Sequence, residues 1–160
     1  MTETRNDARE IRRHLWNTLA DSPFLMIGLT GDGHHSEPMT AQLDPDADSA
    51  FWIYTSKTNR IANGGAAMAQ FVSKGQDLFA CIRGRLVIET DRAVIDRHWS
   101  DRVAAWFDGG RDDPHLRMLR FDLDDAEIWE HDRSILGAFR LLTVRQTGRD
   151  DALRHAEVAL

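Results

Sequence analysis

The stretch Phe51-Trp-Ile-Tyr-Thr-Ser-Lys-Thr-Asn-Arg-Ile-Ala-Asn-Gly-Gly65 decides how this sequence is interpreted. It begins with Phe51 to Tyr54, large residues of the aromatic and β-branched types that suit a pleated sheet. Hydroxyl, amide and cationic side chains follow, and the stretch ends at Gly64-Gly65. The pattern predicts a buried strand, a polar turn and a short helix that glycine ends.

The polar turn at residues 55–60 is compatible with two interpretations. Free backbone N–H groups, hydroxyls and the guanidinium of Arg60 would together suit a phosphate group. An ordinary strand-to-helix connection, with Thr58 or Asn59 as the N-cap, accounts for the same residues. Spacing alone leaves both open.

The composition argues against several classes of protein. The chain has 160 residues, 42% of them hydrophobic, which is enough for one domain with its own core. A formal charge of −6 argues against non-specific nucleic-acid binding, and no apolar run reaches the length of a membrane span. The N-terminus lacks the apolar core of a signal peptide, and Cys81 is the single cysteine. We therefore expect a cytoplasmic protein with no membrane contact, no nucleic-acid partner and no intrachain disulfide.

Hydrophobic periodicity predicts strands framed by helices. Amphipathic helices are predicted at residues 8–20, 91–107 and 134–145. Strands are predicted at residues 24–30, 34–43, 51–54, 66–73, 78–89 and 117–129, the last with a break at Asp124-Asp125. The first of these strands is apolar throughout, which predicts cover on both of its faces. The irregular order of elements favours a small antiparallel barrel in an α+β domain over a doubly wound parallel sheet.

Two residues interrupt the strand pattern. Pro38 cannot donate to a ladder, so it predicts an edge strand, a bulge or a kink. Gly84 stands within the regular alternation of residues 78–89, which predicts a bulge or a close approach to the backbone. The string Trp106-Phe107, followed by Gly109-Gly110, fits either a flexible aromatic flap or a helix end packed on the barrel.

Four strings, in this order, resemble a known family. They are Glu37-Pro-Met-Thr40, Phe51-Trp-Ile-Tyr-Thr-Ser56, Ala105-Trp-Phe-Asp-Gly-Gly-Arg-Asp-Asp-Pro114, and Leu119 to Trp129. Over residues 8–145 the chain resembles the pyridoxamine-phosphate-oxidase-like flavin-binding split barrels, and most of all their bacterial general-stress-protein subgroup. The resemblance implies an α+β, mainly β fold: a six-stranded antiparallel split β-barrel with flanking helices, paired into a homodimer. The domain would span residues 1–147, with a frayed polar tail at residues 148–160.

The resemblance also implies a flavin between the subunits, with FMN as the expected cofactor and FAD or a deazaflavin as alternatives. Asn59 and Arg60 would hold the phosphate with help from Lys57, and Trp106 or Trp129 would close the site from the partner chain. The expected cofactor-binding residues are Pro38, Met39, Thr40, Ile53, Tyr54, Thr55, Ser56, Lys57, Asn59, Arg60, Trp106 and Trp129.

The chain departs from the family pattern at the phosphate turn. Glu37 stands where the family often has arginine, and Asn59 and Ile61 stand where it usually has serine and a basic residue. A carboxylate beside a phosphate is repulsive by roughly 1 kcal/mol or more. The flavin site is therefore expected to be retained in modified form, weakened, or adapted to a related cofactor.

The leading functional hypothesis is an FMN-binding, stress-related oxidoreductase that acts on a small, unidentified substrate. No catalytic acid or base is identifiable, so the flavin would supply the redox chemistry. A metal site is not expected, because His34 and His35 would point to opposite faces of a strand. The alternatives are a flavin-binding or flavin-sequestering protein without turnover, and a cofactor-free split-barrel dimer.

Overall fold

The computed structural model describes residues 2–131 and 153–159, with side chains from residue 8 to residue 130. Its elements are α1 (Thr2–Asp21), β1 (Phe24–Leu29), β2 (Glu37–Thr40), β3 (Ala50–Ser56), β4 (Gly65–Val72), β5 (Leu78–Glu89), α2 (Arg92–His98), α3 (Asp101–Ala104), a 3₁₀ turn (Gly110–Asp112), β6 (Leu116–His131) and β7 (Leu153–Ala159). None of the described helices is long and apolar enough to cross a membrane. The helix predicted at residues 134–145 lies outside the described residues.

The strands pair in the order β2-β1-β4-β5-β6-β3, and every pairing is antiparallel. The two ends of this sheet approach each other where Gln42 and Trp52 exchange backbone hydrogen bonds of 2.6 and 2.9 Å. Strands β1 to β6 thus form a nearly closed barrel, which confirms the predicted mainly β split barrel. β7 pairs with the second half of β6, beyond the part that β3 covers. Residues 153–159 thus form a strand, where the sequence predicted a frayed tail.

The barrel core is filled by the inward face of each strand and by α1. On β3, Phe51 and Ile53 are fully buried, and Phe51 stacks on Phe121 with ring centroids 4.9 Å apart. Leu15 and Leu19 of α1 join the same cluster. Burial of each such side chain contributes roughly 1.5–3 kcal/mol.

Pro38 and Gly84, which interrupt the strand pattern, lie at an edge and at a bulge, as the sequence predicted. β2 is the last strand of the sheet order, so Pro38 lies on an edge. A Cβ atom at Gly84 would collide with the carbonyl oxygen of Asp122, and the β5–β6 register shifts at that point. Arg83 pairs with Asp125 while Gly84 pairs with Leu123, so Asp124 is the extra residue of a bulge. The predicted break in β6 is this bulge within one continuous strand.

The prediction of a short helix after β3 is wrong. Residues 57–64 form consecutive turns, in which Asn59 N–H donates to the Ser56 carbonyl and Gly64 N–H to the Ile61 carbonyl. The Asn59 side chain accepts from the backbone of Ile61 at 2.9 Å instead of capping a helix. Short polar side chains that bond the nearby backbone favour turns over helices, which explains the difference.

The helix predicted at residues 91–107 is also interrupted. α2 ends at His98, and Trp99 is extended with ψ of 134°. The Ser100 hydroxyl then accepts from Val103 N–H and begins α3. The break divides the predicted helix into two short helices, α2 and α3.

One face of the barrel wall is exposed in the single chain. Phe24 of β1 is 57% exposed and Met26 is 41% exposed, so the prediction of cover on both faces of this strand is wrong for one chain. Val72 and Phe79 are exposed as well and face each other across β4 and β5.

Candidate functional site

A cavity of about 390 Å³ opens outside the barrel, where β2, the end of β3 and α3 meet. Its volume falls within the range of small-molecule sites. The residues that line it are Pro38, Met39, Thr40, Gln42, Tyr54, Thr55, Ser56, Asn59, Arg102, Val103, Trp106 and Phe107. Aromatic and apolar side chains form one part of the wall, and hydroxyl and amide groups form the end near residues 56–59.

Most of the residues predicted from the sequence meet at this cavity. Those that line it are Pro38, Met39, Thr40, Tyr54, Thr55, Ser56, Asn59 and Trp106. Four others do not. Ile53 is fully buried in the barrel core, Lys57 is exposed, and Arg60 is bonded to Glu37. Trp129 faces Phe79 near the far end of β6, well away from the cavity of its own chain.

Sequence reasoning did not select Gln42, Arg102, Val103 and Phe107. Val103 lies in the helix predicted at residues 91–107, and Phe107 lies in the string that fits a flap or a helix end, so both positions were singled out by the sequence without being assigned to the site. Gln42 and Arg102 carried none, because their position depends on barrel closure and on the break between α2 and α3.

Tyr54 fixes α2 over the barrel wall. Its hydroxyl donates to the Ile95 carbonyl at 2.6 Å, and its ring meets Trp99 edge to face at 5.8 Å. Burial raises the pKa of Tyr54 to about 12; the nearby Arg111 opposes this shift and Asp96 adds to it. The phenol therefore stays protonated near neutral pH and holds the cavity wall in place.

His98 occupies the neighbouring part of the same interface. Its side chain is 7% exposed, and its ring lies on Trp52 with centroids 4.9 Å apart. Nε2 is 3.3 Å from Asp44 Oδ1 but has no hydrogen-bond geometry to it. Burial lowers the pKa of His98, the Asp44 carboxylate opposes that shift and the Arg97 cation adds to it. His98 therefore packs against Trp52 in its neutral form.

The polar end of the cavity contains an internal ion pair. Asn59 Nδ2 donates to Glu37 Oε2 at 2.7 Å, and Arg60 Nε lies 3.0 Å from Glu37 Oε1. We call Glu37, Asn59 and Arg60 the Glu37 clamp. The two residues predicted to hold a phosphate thus hold a carboxylate of the chain itself. Across the cavity, Arg102 forms no ion pair within the part of the chain that the structure describes.

The cavity wall offers little acid–base chemistry of its own. Among the described residues that line it there is no carboxylate, histidine or cysteine. No group of metal-ligating side chains occurs in residues 8–130 either. Cys81 lies on β5, where burial, followed by the charge of Glu127, raises the pKa of its thiol. The described side chains that line the cavity offer hydroxyl, phenol, amide and guanidinium groups.

Comparison with known proteins gives a consistent result. The family model described as "Pyridoxamine 5'-phosphate oxidase like" matches residues 10–150. None of the curated proteins matches the chain.

Solved structures of general stress proteins are similar over most of the chain. The general stress FMN/FAD binding protein of Xanthomonas citri is 41% identical with a TM-score of 0.74, over 79% of this chain and 93% of that one. A general stress family protein of Xanthomonas campestris pv. campestris is 42% identical with a TM-score of 0.73, over 79% and 91%. A protein described as a candidate general stress protein 26, from Jannaschia sp. CCS1, is 29% identical with a TM-score of 0.78, over 96% and 99%.

Proposed function

Because the chain belongs to the pyridoxamine 5'-phosphate oxidase like family, in its general-stress-protein subgroup, we propose that it binds a flavin such as FMN and acts as a flavin-dependent oxidoreductase. The observation that carries the proposal is the cavity between β2, β3 and α3, where most of the residues expected around the cofactor meet. The Xanthomonas citri relative, an FMN/FAD binding protein at 41% identity, supports it.

The lining residues fit the parts of a flavin unequally. Tyr54, Trp106 and Phe107 provide flat aromatic surface, and Met39 and Val103 provide apolar surface, which suits a planar ring system. Ser56 and Thr55 bring hydroxyl groups that suit the ribityl chain. Asn59 and Arg60 are already bonded to Glu37, so the fit is better for the ring than for the phosphate.

A bound flavin would supply the electron transfer, and the chain would supply position and environment. The wall residues would hold the ring, and α3 with Trp106 would restrict the access of water to it. The Tyr54 hydroxyl already donates to the Ile95 carbonyl, and its raised pKa makes it a weaker acid than a free phenol. The substrate would therefore exchange its proton with solvent or with the ring. The volume of the cavity suits a small-molecule substrate.

The first test is an absorption spectrum of the purified protein, followed by titration with FMN, FAD and a deazaflavin. Trp106 is 82% exposed and lines the cavity, so Trp106→Ala should leave the fold intact and weaken FMN binding about tenfold through lost ring contact. Ile88→Ala, which removes an exposed apolar side chain that does not line the cavity, is the matched control. Uptake of none of the three flavins would refute the proposal.

The lack of acid–base groups on the cavity wall favours a second candidate, a flavin-binding or flavin-sequestering protein without turnover. Steady-state oxidation of NAD(P)H with an electron acceptor distinguishes the two functions. Turnover that rises with flavin occupancy supports the oxidoreductase. Full occupancy without turnover supports sequestration.

We further propose that the chain works as a homodimer, built on the exposed apolar face of the barrel. Val72 faces Phe79, and Phe79 faces Trp129 across β5 and β6. By extension of the register in which Met26 faces Gln70, Phe24 lies beside Val72. A continuous exposed apolar patch of this kind is typical of an interface. The interface would also bring Trp129 of a second copy within reach of the cavity, as the family resemblance implies.

The dimer is tested by light scattering coupled to size exclusion. The wild type should elute as a dimer, and Phe79→Lys should shift it toward monomer because a buried unpaired charge is costly. Ile88→Lys, also on β5 and similarly exposed, should leave the dimer unchanged. A monomeric wild type would contradict the proposal. A cytoplasmic location remains a further prediction, and fractionation of the native host's cells would check it.

A further inference from the structure

The Glu37 clamp gives each carboxylate oxygen its own donor. Oε2 accepts from the Asn59 amide at 2.7 Å, and Oε1 meets the Arg60 guanidinium at 3.0 Å. Such charge-assisted bonds, one to each oxygen of a planar anion, are the strong kind. Arg60 is further tied to the His35 carbonyl at 3.3 Å, which directs its side chain toward the strand that carries Glu37.

The turn itself orients the donors of the clamp. Asn59 Oδ1 accepts from Ile61 N–H at 2.9 Å, so the Asn59 side chain is held at both of its ends. Ser56 Oγ accepts from Thr58 N–H at 3.3 Å and lies 3.0 Å from Thr58 Oγ1. The amide of Asn59 and the guanidinium of Arg60 are therefore directed at the Glu37 carboxylate, beside the polar end of the cavity.

The clamp changes what the cavity can recognise. A phosphate placed at this end would need the donors that Glu37 already uses, and it would lie beside a carboxylate of the same sign. A neutral hydroxyl at the same place would meet neither difficulty. The pairing is partly shielded from water, since the Glu37 side chain is 26% exposed and that of Arg60 is 40% exposed.

We propose that Glu37 is a specificity-determining residue that occupies Asn59 and Arg60, so that the cavity accepts flavins without favouring those that carry a phosphate. This inference rests on the proposed flavin binding and goes beyond it by naming the chemical class of flavin. Riboflavin, with its neutral ribityl end, binds about as tightly as FMN. Arg60 contributes little to FMN affinity while Glu37 holds it.

The experiment compares two ligands that differ only in the phosphate. Riboflavin and FMN are titrated, by quenching of flavin fluorescence, into wild type, Glu37→Gln and Glu10→Gln. The wild type should bind the two ligands within about threefold of each other, and Glu37→Gln should raise the preference for FMN about tenfold by releasing Asn59 and Arg60. Glu10→Gln removes one exposed carboxylate from α1, controls for the change in net charge, and should leave the ratio unchanged.

A second pair of variants tests the same point through Arg60. Arg60→Ala should barely change FMN affinity in the wild-type background but should abolish the gain in the Glu37→Gln background. A wild type that already prefers FMN more than about tenfold, or a Glu37→Gln variant with an unchanged ratio, would overturn the inference while flavin binding stands. No uptake of either flavin by any variant would overturn the proposed function, and the inference with it.

Discussion

The wall formed by β5 and β6 and the segments that line the cavity are held together in different ways. In the wall, twelve paired positions run from Leu78 opposite Glu130 to Glu89 opposite Met118, with one shift at Gly84. On the α2–α3 side of the cavity, the chain is held by single hydrogen bonds between side chains and backbone, such as Tyr54 to Ile95 and Ser100 to Val103. The wall therefore resists change as a unit, whereas the α2–α3 side of the cavity can change one contact at a time.

The largest effect should come from breaking the wall. Phe121 of β6 is fully buried and stacked on Phe51, so Phe121→Ala should lower the free energy of unfolding by about 3–5 kcal/mol. Urea denaturation measures this loss. Trp106→Ala, at the cavity rim and 82% exposed, should change the same quantity by no more than about 0.5 kcal/mol. Equal losses in the two variants would contradict the contrast between wall and cavity.

A smaller effect should follow from removing the hydrogen bond between Tyr54 of β3 and Ile95 of α2. Tyr54→Phe removes the hydroxyl that bonds the Ile95 carbonyl at 2.6 Å and keeps the ring on Trp99. The expected cost is about 1 kcal/mol of unfolding free energy, together with faster proteolysis in residues 92–112. Unchanged proteolysis there would indicate that ring packing, not the hydrogen bond, holds α2.

The smallest effect concerns pH. Because burial holds the pKa of His98 below its usual value of 6.5, the unfolded chain takes up a proton below about pH 6.5 that the folded chain resists. The stability contributed by neutral His98 is therefore present above that pH and is lost as the pH falls toward the lowered pKa. His98→Phe keeps a ring on Trp52 and removes the titration. The variant should lose less stability than wild type between pH 6.5 and 5 in urea denaturation, and identical slopes would refute this assignment.

The contrast between the β5–β6 wall and the cavity also explains which features could be predicted from the sequence. Leu78–Glu89 was predicted with its observed bounds because alternation along a strand is a strong local signal. Ile88 is an exception, since alternation places it on the face that is buried from Leu78 to Leu86, but it is 39% exposed near the strand end. Pro38 and Gly84 also gave correct local predictions, because each restricts the backbone in a specific way.

The cavity was only partly predictable, because its geometry depends on residues distant in sequence. Asn59 was predicted to hold the cofactor's phosphate and it lines the cavity, but its partner Glu37 is 22 positions away and no local pattern joins them. Arg102 reaches the cavity only because the chain turns at Trp99 and Ser100, where periodicity predicted a continuous helix. Lys57 and Arg60 were selected because the resemblance implies a phosphate at this turn and both are cationic, but Arg60 pairs with Glu37.

The meeting of the barrel ends at Gln42 and Trp52 links the cavity to the motions of the whole fold. Only two backbone hydrogen bonds join the chain there, whereas every other junction between β1 and β6 is a ladder. This seam is where the barrel should open first, and its amide protons should exchange with solvent sooner than those of β5. Gln42 also lines the cavity, so a ligand that fills the cavity should stabilise the closed pairing of Gln42 with Trp52. Binding of a ligand in the cavity should therefore slow hydrogen exchange at the backbone amides of Gln42 and Trp52.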